Sequence, residues 1–149
     1  MGLYYEEFRV GSEILTDEHE ITSEEIADFS RISGDHNPLH TDAAYARSAG
    51  FRDVIAHGPF VQSLAFGLIA ATGTMEGTTV ALLRVSASFL RPVFAGDRIH
   101  VQVRITKKRP TRSPDRGVLW RWADVVNQDG DVVVSLAIAV MVRRHAASA

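Results

Sequence analysis

The stretch that decides the fold is Gly58-Pro59-Phe60-Val61-Gln62-Ser63-Leu64-Ala65-Phe66-Gly67-Leu68-Ile69-Ala70-Ala71. Proline is tolerated in the first turn of a helix, where its missing N–H would have no partner anyway, so Gly58-Pro59 reads as a helix start. From Pro59 to Ala71 only Gln62 and Ser63 are clearly polar. A helix that is apolar on nearly every side should be surrounded by other structure. Gly73 and Gly77 mark its exit. The run is well short of the ~20 residues a membrane helix needs, and so is the other dense apolar stretch, Val132–Val142.

What surrounds such a helix is read from the flanks. Downstream lie strand candidates at Thr78–Leu90, Arg98–Thr106, Val118–Val126 and Val132–Arg143. Ile99, Val101, Val103 and Ile105 alternate with His100, Gln102 and Arg104, the pattern of a strand with one buried face. Gly96-Asp97 and Asp129-Gly130 are turn signals, the latter between two apolar runs as in a hairpin. Val132–Val142 is almost continuously apolar and should be covered on both sides. A further short strand is expected near Ser12–Leu15 or Glu18–Ile21. Upstream, Thr22 and Glu25 have capping-box spacing, and Ile26, Phe29 and Ile32 recur at helical spacing, which predicts a helix from Ser23. It should stop near Gly34, because Pro38 disfavours helical geometry at Asn37. A second short helix is predicted over Asp42–Ser48, with Thr41 as its cap and Gly50 past its end. A helical first half followed by strands means α+β, not the alternation of a nucleotide-binding fold. The expected architecture is a single domain over residues 1–149, an antiparallel sheet curled around the Pro59–Ala71 helix.

Composition narrows the function. The chain has 149 residues, 46% of them hydrophobic and 23% charged, which is ordinary for a globular protein. Lys+Arg 16 against Asp+Glu 18 leaves a net charge of −2. That balance argues against a general nucleic-acid binder. The absence of cysteine removes disulfides, thiol nucleophiles and Cys-held metal clusters from consideration. MGLYYEEFRVGSE has early glutamates and no apolar run, unlike a signal peptide. A soluble, cytoplasmic protein is expected.

The densest polar group is Gly34-Asp35-His36-Asn37-Pro38-Leu39-His40. Asp and His together suit acid–base work near neutral pH, since an unperturbed His titrates at about 6.5 and a carboxylate can orient it. Asn-Pro makes an irregular turn that could aim Asp35 and His40 at one point. A capped loop built from turn residues reads equally from the same letters. A second element is Ala56-His57-Gly58-Pro59. The Gly58 N–H would lie at the positive end of the helix dipole without an intrahelical acceptor, and glycine admits a ligand close to the backbone. Such an amide suits a polarised carbonyl, although an ordinary Gly-Pro helix start has the same sequence.

Together these elements resemble a known family. Phe29–Ala46, FSRISGDHNPLHTDAAYA, resembles the hydratase signature of the MaoC-like dehydratases, the (R)-specific enoyl-CoA hydratases. The match runs through Phe29, Ser33-Gly34-Asp35, Asn37-Pro38-Leu39-His40 and Ala46. Ala56-His57-Gly58 resembles the family's second segment, and Phe89-Leu90-Arg91-Pro92-Val93-Phe94-Ala95-Gly96-Asp97 its Phe-x-x-Pro-Val-x-x-Gly-Asp stretch. The resemblance implies the hot dog fold, a long helix wrapped by an antiparallel sheet, in homodimers or larger assemblies whose sheets join edge to edge. It implies reversible syn hydration of a trans-2-enoyl-CoA, or dehydration of an (R)-3-hydroxyacyl thioester on coenzyme A or an acyl carrier. Asp35 and His40 would be the catalytic pair around one water, and the Gly58 N–H would bind the thioester oxygen. Asn37 would fix the loop, and His57 could orient the Gly58 turn. No cofactor is expected apart from the coenzyme A of the substrate, and no membrane or nucleic-acid partner. Several family members have a serine at the position of Phe66, so Ser63 is the candidate polar contact and Phe66 the candidate acyl contact.

Two other readings remain open: a noncatalytic acyl-thioester-binding subunit of a heteromeric dehydratase, and a hot dog acyl-CoA thioesterase. The latter would usually carry its carboxylate in the central helix, and Pro59–Ala71 has no Asp or Glu. His36 and His40 have the spacing of helical metal ligands, but Pro38 between them opposes a regular helix, so no metal is expected. Lys107, Lys108, Arg109, Arg112 and Arg116 cluster around a Pro-containing segment, read as a solvated hairpin loop that could meet coenzyme A phosphates. Arg84 and Arg91 are alternative phosphate contacts. Trp120 and Trp122 share one strand face and read as core or interface, and Phe60, Phe66 and Phe89 read as core or as an acyl tunnel.

Overall fold

In the computed structural model, which describes residues 1–145, both short strands form where one was expected: β1 (Glu13–Leu15) and β2 (His19–Glu20). Helix α1 (Ser23–Ser33) follows, with the expected capping box. The Thr22 hydroxyl accepts the Glu25 N–H, and the Glu25 carboxylate accepts the Thr22 N–H. Gly34 ends the helix at φ 77°, a left-handed conformation that favours glycine.

The next turn differs from expectation. Asn37-Pro38 does not make an irregular turn but starts α2 (Pro38–Thr41), with Pro38 in the first turn and the Asn37 side chain accepting the Leu39 N–H. Thr41 is therefore inside a helix and is not the cap of the next one. Asp42 takes that place, its carboxylate accepting the N–H groups of Ala44 and Tyr45 at the start of α3 (Ala43–Ser48). A carboxylate there also faces the positive end of the helix dipole. An extended segment then leads to α4 (Gly58–Ala71).

The remaining strands are β3 (Thr79–Phe89), β4 (Arg98–Pro110), β5 (Arg116–Val126) and β6 (Val132–Arg143). They form an antiparallel sheet in the order β1-β4-β5-β6-β3, with β2 also on β4. Strand β4 runs past its expected end at Thr106. A register shift between Ile105 and Lys107 breaks the alternation, and pairing with β5 resumes beyond it. The basic cluster is thus partly strand rather than loop. Lys108 donates to the carbonyls of Tyr5, Glu6 and Phe8, and Arg116 pairs with Asp115.

Helix α4 lies across one face of this sheet. Val61, Ala65 and Ile69 are buried on it, in one core with Val101, Val103, Ala123, Leu136 and Ile138. The opposite stripe, Pro59, Ser63, Gly67 and Ala71, is exposed. The single chain therefore covers one side of α4, not all of it. Trp122 lies on the outer face of the sheet and is exposed, so it is not core. Among the described residues no helix is long and apolar enough to cross a membrane.

Candidate active site

Two short segments from opposite ends of a helix–loop–helix unit meet at the N-terminus of α4. The extended segment before α4 is clamped on both sides: Ile55 N–H donates to the Leu39 carbonyl at 3.0 Å, and Ala56 N–H to the Val93 carbonyl at 2.7 Å. This places Gly58 between the α2 turn and the Arg91-Pro92-Val93 segment. As the first residue of α4, Gly58 has an N–H with no acceptor inside the helix. A Cβ on Gly58 would come within 2.8 Å of the Phe89 ring, so glycine is what lets β3 end this close.

His40 is fixed from the other side. Its Nδ1 lies 2.7 Å from the Ile55 carbonyl, which can only accept, so Nδ1 carries a hydrogen. Nε2 is then the nitrogen free to take or give a proton. The Asn37 cap of α2 sets the direction from which His40 approaches, and the Asp35 carboxylate accepts the Asn37 N–H at 3.1 Å. Asn37 thus ties the Asp35 loop to the start of α2.

His57 brings the two together. It is 1% exposed, and its ring stacks on that of His40 with centroids 3.8 Å apart. Its Nε2 lies 3.0 Å from the Ser30 hydroxyl and 3.1 Å from the Asp35 carbonyl, while Nδ1 is buried with no partner among the described residues. Burial pushes the His57 imidazole below its ordinary value; the Asp35 carbonyl acts the other way, and the neighbouring His40 adds to the lowering. A neutral His57 under His40 is the result. Asp35, His40 and His57 each place a ligand-type atom within 4.8 Å of the others. The spacing of His36 and His40 has no part in this group, since α2 starts after His36.

A cavity of about 450 Å³ opens beside these groups, lined by His40, Ile55, Gly58, Phe89 and Val93 among others. Its wall is mostly apolar, with an imidazole and the tip of a helix at one end. Arg91 lines it too and pairs with Asp131 at 3.5 Å. The structure does not bring every expected contact here. Ser63 is on the exposed stripe of α4, its hydroxyl returned to the Pro59 carbonyl, and Phe66 lines a different cavity further along the helix. Ser30 was not anticipated. It is 2% exposed and stands four residues after Ile26 on the buried face of α1, a polar interruption of an apolar stripe.

An antiparallel sheet laid around one apolar helix is the hot dog fold. Residues 7–119 match the MaoC like domain, and the chain belongs to that family. It is 32% identical to 3-hydroxybutyryl-CoA dehydratase of Methylorubrum extorquens over 137 residues, 90% of this chain and 84% of that protein. It is 39% identical to (R)-specific enoyl-CoA hydratase of Aeromonas caviae over 85 residues, 57% of this chain and 62% of that enzyme. Its fold is similar to a MaoC-like dehydratase from Rhodospirillum rubrum, with a TM-score of 0.88, 26% identity and 97% and 99% of the two chains covered. The (R)-hydratase from Aeromonas caviae involved in PHA biosynthesis matches at a TM-score of 0.74 and 29% identity, covering 93% and 98%.

Proposed function

We propose that this chain is a hydro-lyase that adds water reversibly to a trans-2-enoyl thioester. The observation that carries the reading is the convergence of Asp35 and His40 beside an apolar cavity that also holds the Gly58 amide. A water between the carboxylate and the free His40 Nε2 adds its oxygen to C3 while a proton reaches C2. The carbon–carbon double bond becomes a C3–O and a C2–H bond, so no redox partner is needed. The two groups share the proton transfers between them. Negative charge develops on the thioester oxygen, and the Gly58 N–H at the positive end of α4 donates a hydrogen bond to it. His57 and Asn37 position the pair. The reading asks for no cofactor besides coenzyme A or an acyl carrier attached to the substrate, and it suits a cytoplasmic setting.

The working unit in this reading is a homodimer. Strand β3 is an end strand of the sheet, and Val80, Leu82, Leu83, Phe89 and Leu90 along and just beyond it are exposed. A long apolar edge strand is a template for pairing with another chain. A second copy on β3 would extend the sheet and approach the exposed stripe of α4.

The test is incubation with crotonyl-CoA followed by chiral analysis of the product and assay of free thiol. The expected product is (R)-3-hydroxybutyryl-CoA with no thiol released. Thiol release would support a thioesterase instead, and binding without any product would support a noncatalytic subunit.

A further inference from the structure

Strand β5 carries an arginine where its neighbours are core. Leu119, Ala123 and Val125 are buried on the inner face of the sheet, and Arg121 shares their parity and is 4% exposed. Among the described residues its only hydrogen-bond partner is the Met75 sulfur, 2.9 Å from Nη1, and its Nε is buried without a partner. Burial lowers Arg121 to about 10, so it is still a cation at neutral pH. A buried charge without a counter-ion is costly, which makes an anion the missing part of this arrangement.

The guanidinium lines a cavity of about 140 Å³ whose other walls are apolar apart from Thr79: Phe66, Ile69, Ala70, Leu82 and Val140 among them. This cavity and the one at Gly58 are both bordered by α4 and by the β3–β6 pair. On the helix side, Gly58, Gln62, Phe66 and Ala70 are four residues apart and share a shoulder of α4. On the sheet side, Phe89 and Val134 are paired at the first cavity, and Leu82 and Val140 at the second. From Gly58 to Phe66 and Ile69 is roughly 12 to 16 Å along the helix axis.

We infer that Arg121 is a carboxylate receptor for the far end of the acyl chain, so that the site takes ω-carboxylated enoyl thioesters of roughly ten to twelve carbons along α4. This rests on the hydratase reading, which sets the thioester at Gly58. The planar guanidinium offers a two-pronged donor matched to a carboxylate. The mostly apolar linings of the two cavities match a methylene chain. A plain acyl chain of the same length would leave the cation unpaired.

The experiment compares trans-2-dodecenoyl-CoA with its ω-carboxylated counterpart, and separately reads the thermal shift of wild-type protein with dodecanedioate against dodecanoate. The expected result is a kcat/KM at least tenfold higher for the ω-carboxylated chain, a ratio that falls to one or below in Arg121→Met, and a larger thermal shift with the diacid. The thermal measurement needs neither catalysis nor a variant, so it stands if Arg121→Met does not fold. Crotonyl-CoA turnover by wild-type protein reports the hydratase reading by itself. Equal or lower kcat/KM for the ω-carboxylated chain, with no preference for the diacid in the thermal shift, overturns the inference. So does an Arg121→Met protein that keeps the wild-type ratio, including one that instead changes only its oligomeric state, which would assign the cation to a subunit contact.

Discussion

Replacing Gly58 with alanine separates the chemistry of the site from the stability of the fold. The added Cβ would lie 2.8 and 2.9 Å from two carbons of the Phe89 ring and 3.3 Å from a third. Carbon atoms pack best at about 3.5–4.0 Å, so the ring must withdraw by roughly 0.7 Å. It has room to do so, being 53% exposed at the end of β3. The backbone offers no obstacle, because Gly58 is not among the glycines with positive φ. Alanine also has a helix propensity about 1 kcal/mol better than glycine, which offsets part of the crowding. Unfolding free energy should therefore change by no more than about 1 kcal/mol. Turnover should not be spared. The methyl group and the displaced ring occupy the approach to the Gly58 N–H, and losing one such donor costs about 3–4 kcal/mol of barrier, a fall of about 10²–10³ in kcat. Urea denaturation followed by circular dichroism reads the first quantity and loss of enoyl absorbance reads the second. Normal turnover in Gly58→Ala, or a loss of turnover matched by collapse of the fold, would refute the placing of the thioester at this amide.

Other expectations follow from the same geometry. Asp35→Asn and His40→Gln should each lower kcat by at least about 10² while leaving the circular dichroism spectrum intact, since Asp35 is exposed and His40 half-buried, neither of them in the core. Ser30→Ala should cost about 1 kcal/mol in urea denaturation, the worth of one buried hydrogen bond to His57. His57 has a folded pKa below its unfolded value of about 6.5, so the unfolded chain takes the proton first as pH falls. Stability should drop below about pH 6.5 by at most ~1.4 kcal/mol per pH unit from this group, and His57→Asn should remove that part of the slope. Leu82→Lys with Leu83→Lys should convert a dimer to monomers in light scattering behind size exclusion, because both side chains are exposed on the β3 edge.

Much of this was legible in the letters because local chemistry and tertiary outcome agree. Gly58-Pro59 starts α4 and an apolar run continues it. Thr22 and Glu25 cap α1 as their spacing implies. Asn37-Pro38 carries the same kind of helix-start signal, yet α2 is a single turn, and so short a helix leaves no periodicity to read. Strand β4 was truncated in the sequence because the register shift after Ile105 interrupts the alternation just where three basic residues suggest a loop. Asp35 and His40 stand out as chemistry-bearing residues in a turn. That His57 stacks on His40 and bonds the Asp35 carbonyl depends on contacts across 17 and 22 positions, which no local pattern encodes. Ser30 and Arg121 had a visible signal of another kind, a polar residue at the parity of buried neighbours. Such a residue is also what a solvent-facing slip of register would produce, so the letters alone do not distinguish the two.

In the proposed reaction the Asp35 carboxylate and the His40 imidazole jointly activate water at the tip of α4. Its most direct measurement is kcat/KM for crotonyl-CoA hydration by the wild-type protein and by Asp35→Asn side by side. Ready loss of the enoyl absorbance is expected in the first and a fall of about 10² or more in the second. Equal rates in the two proteins would contradict it.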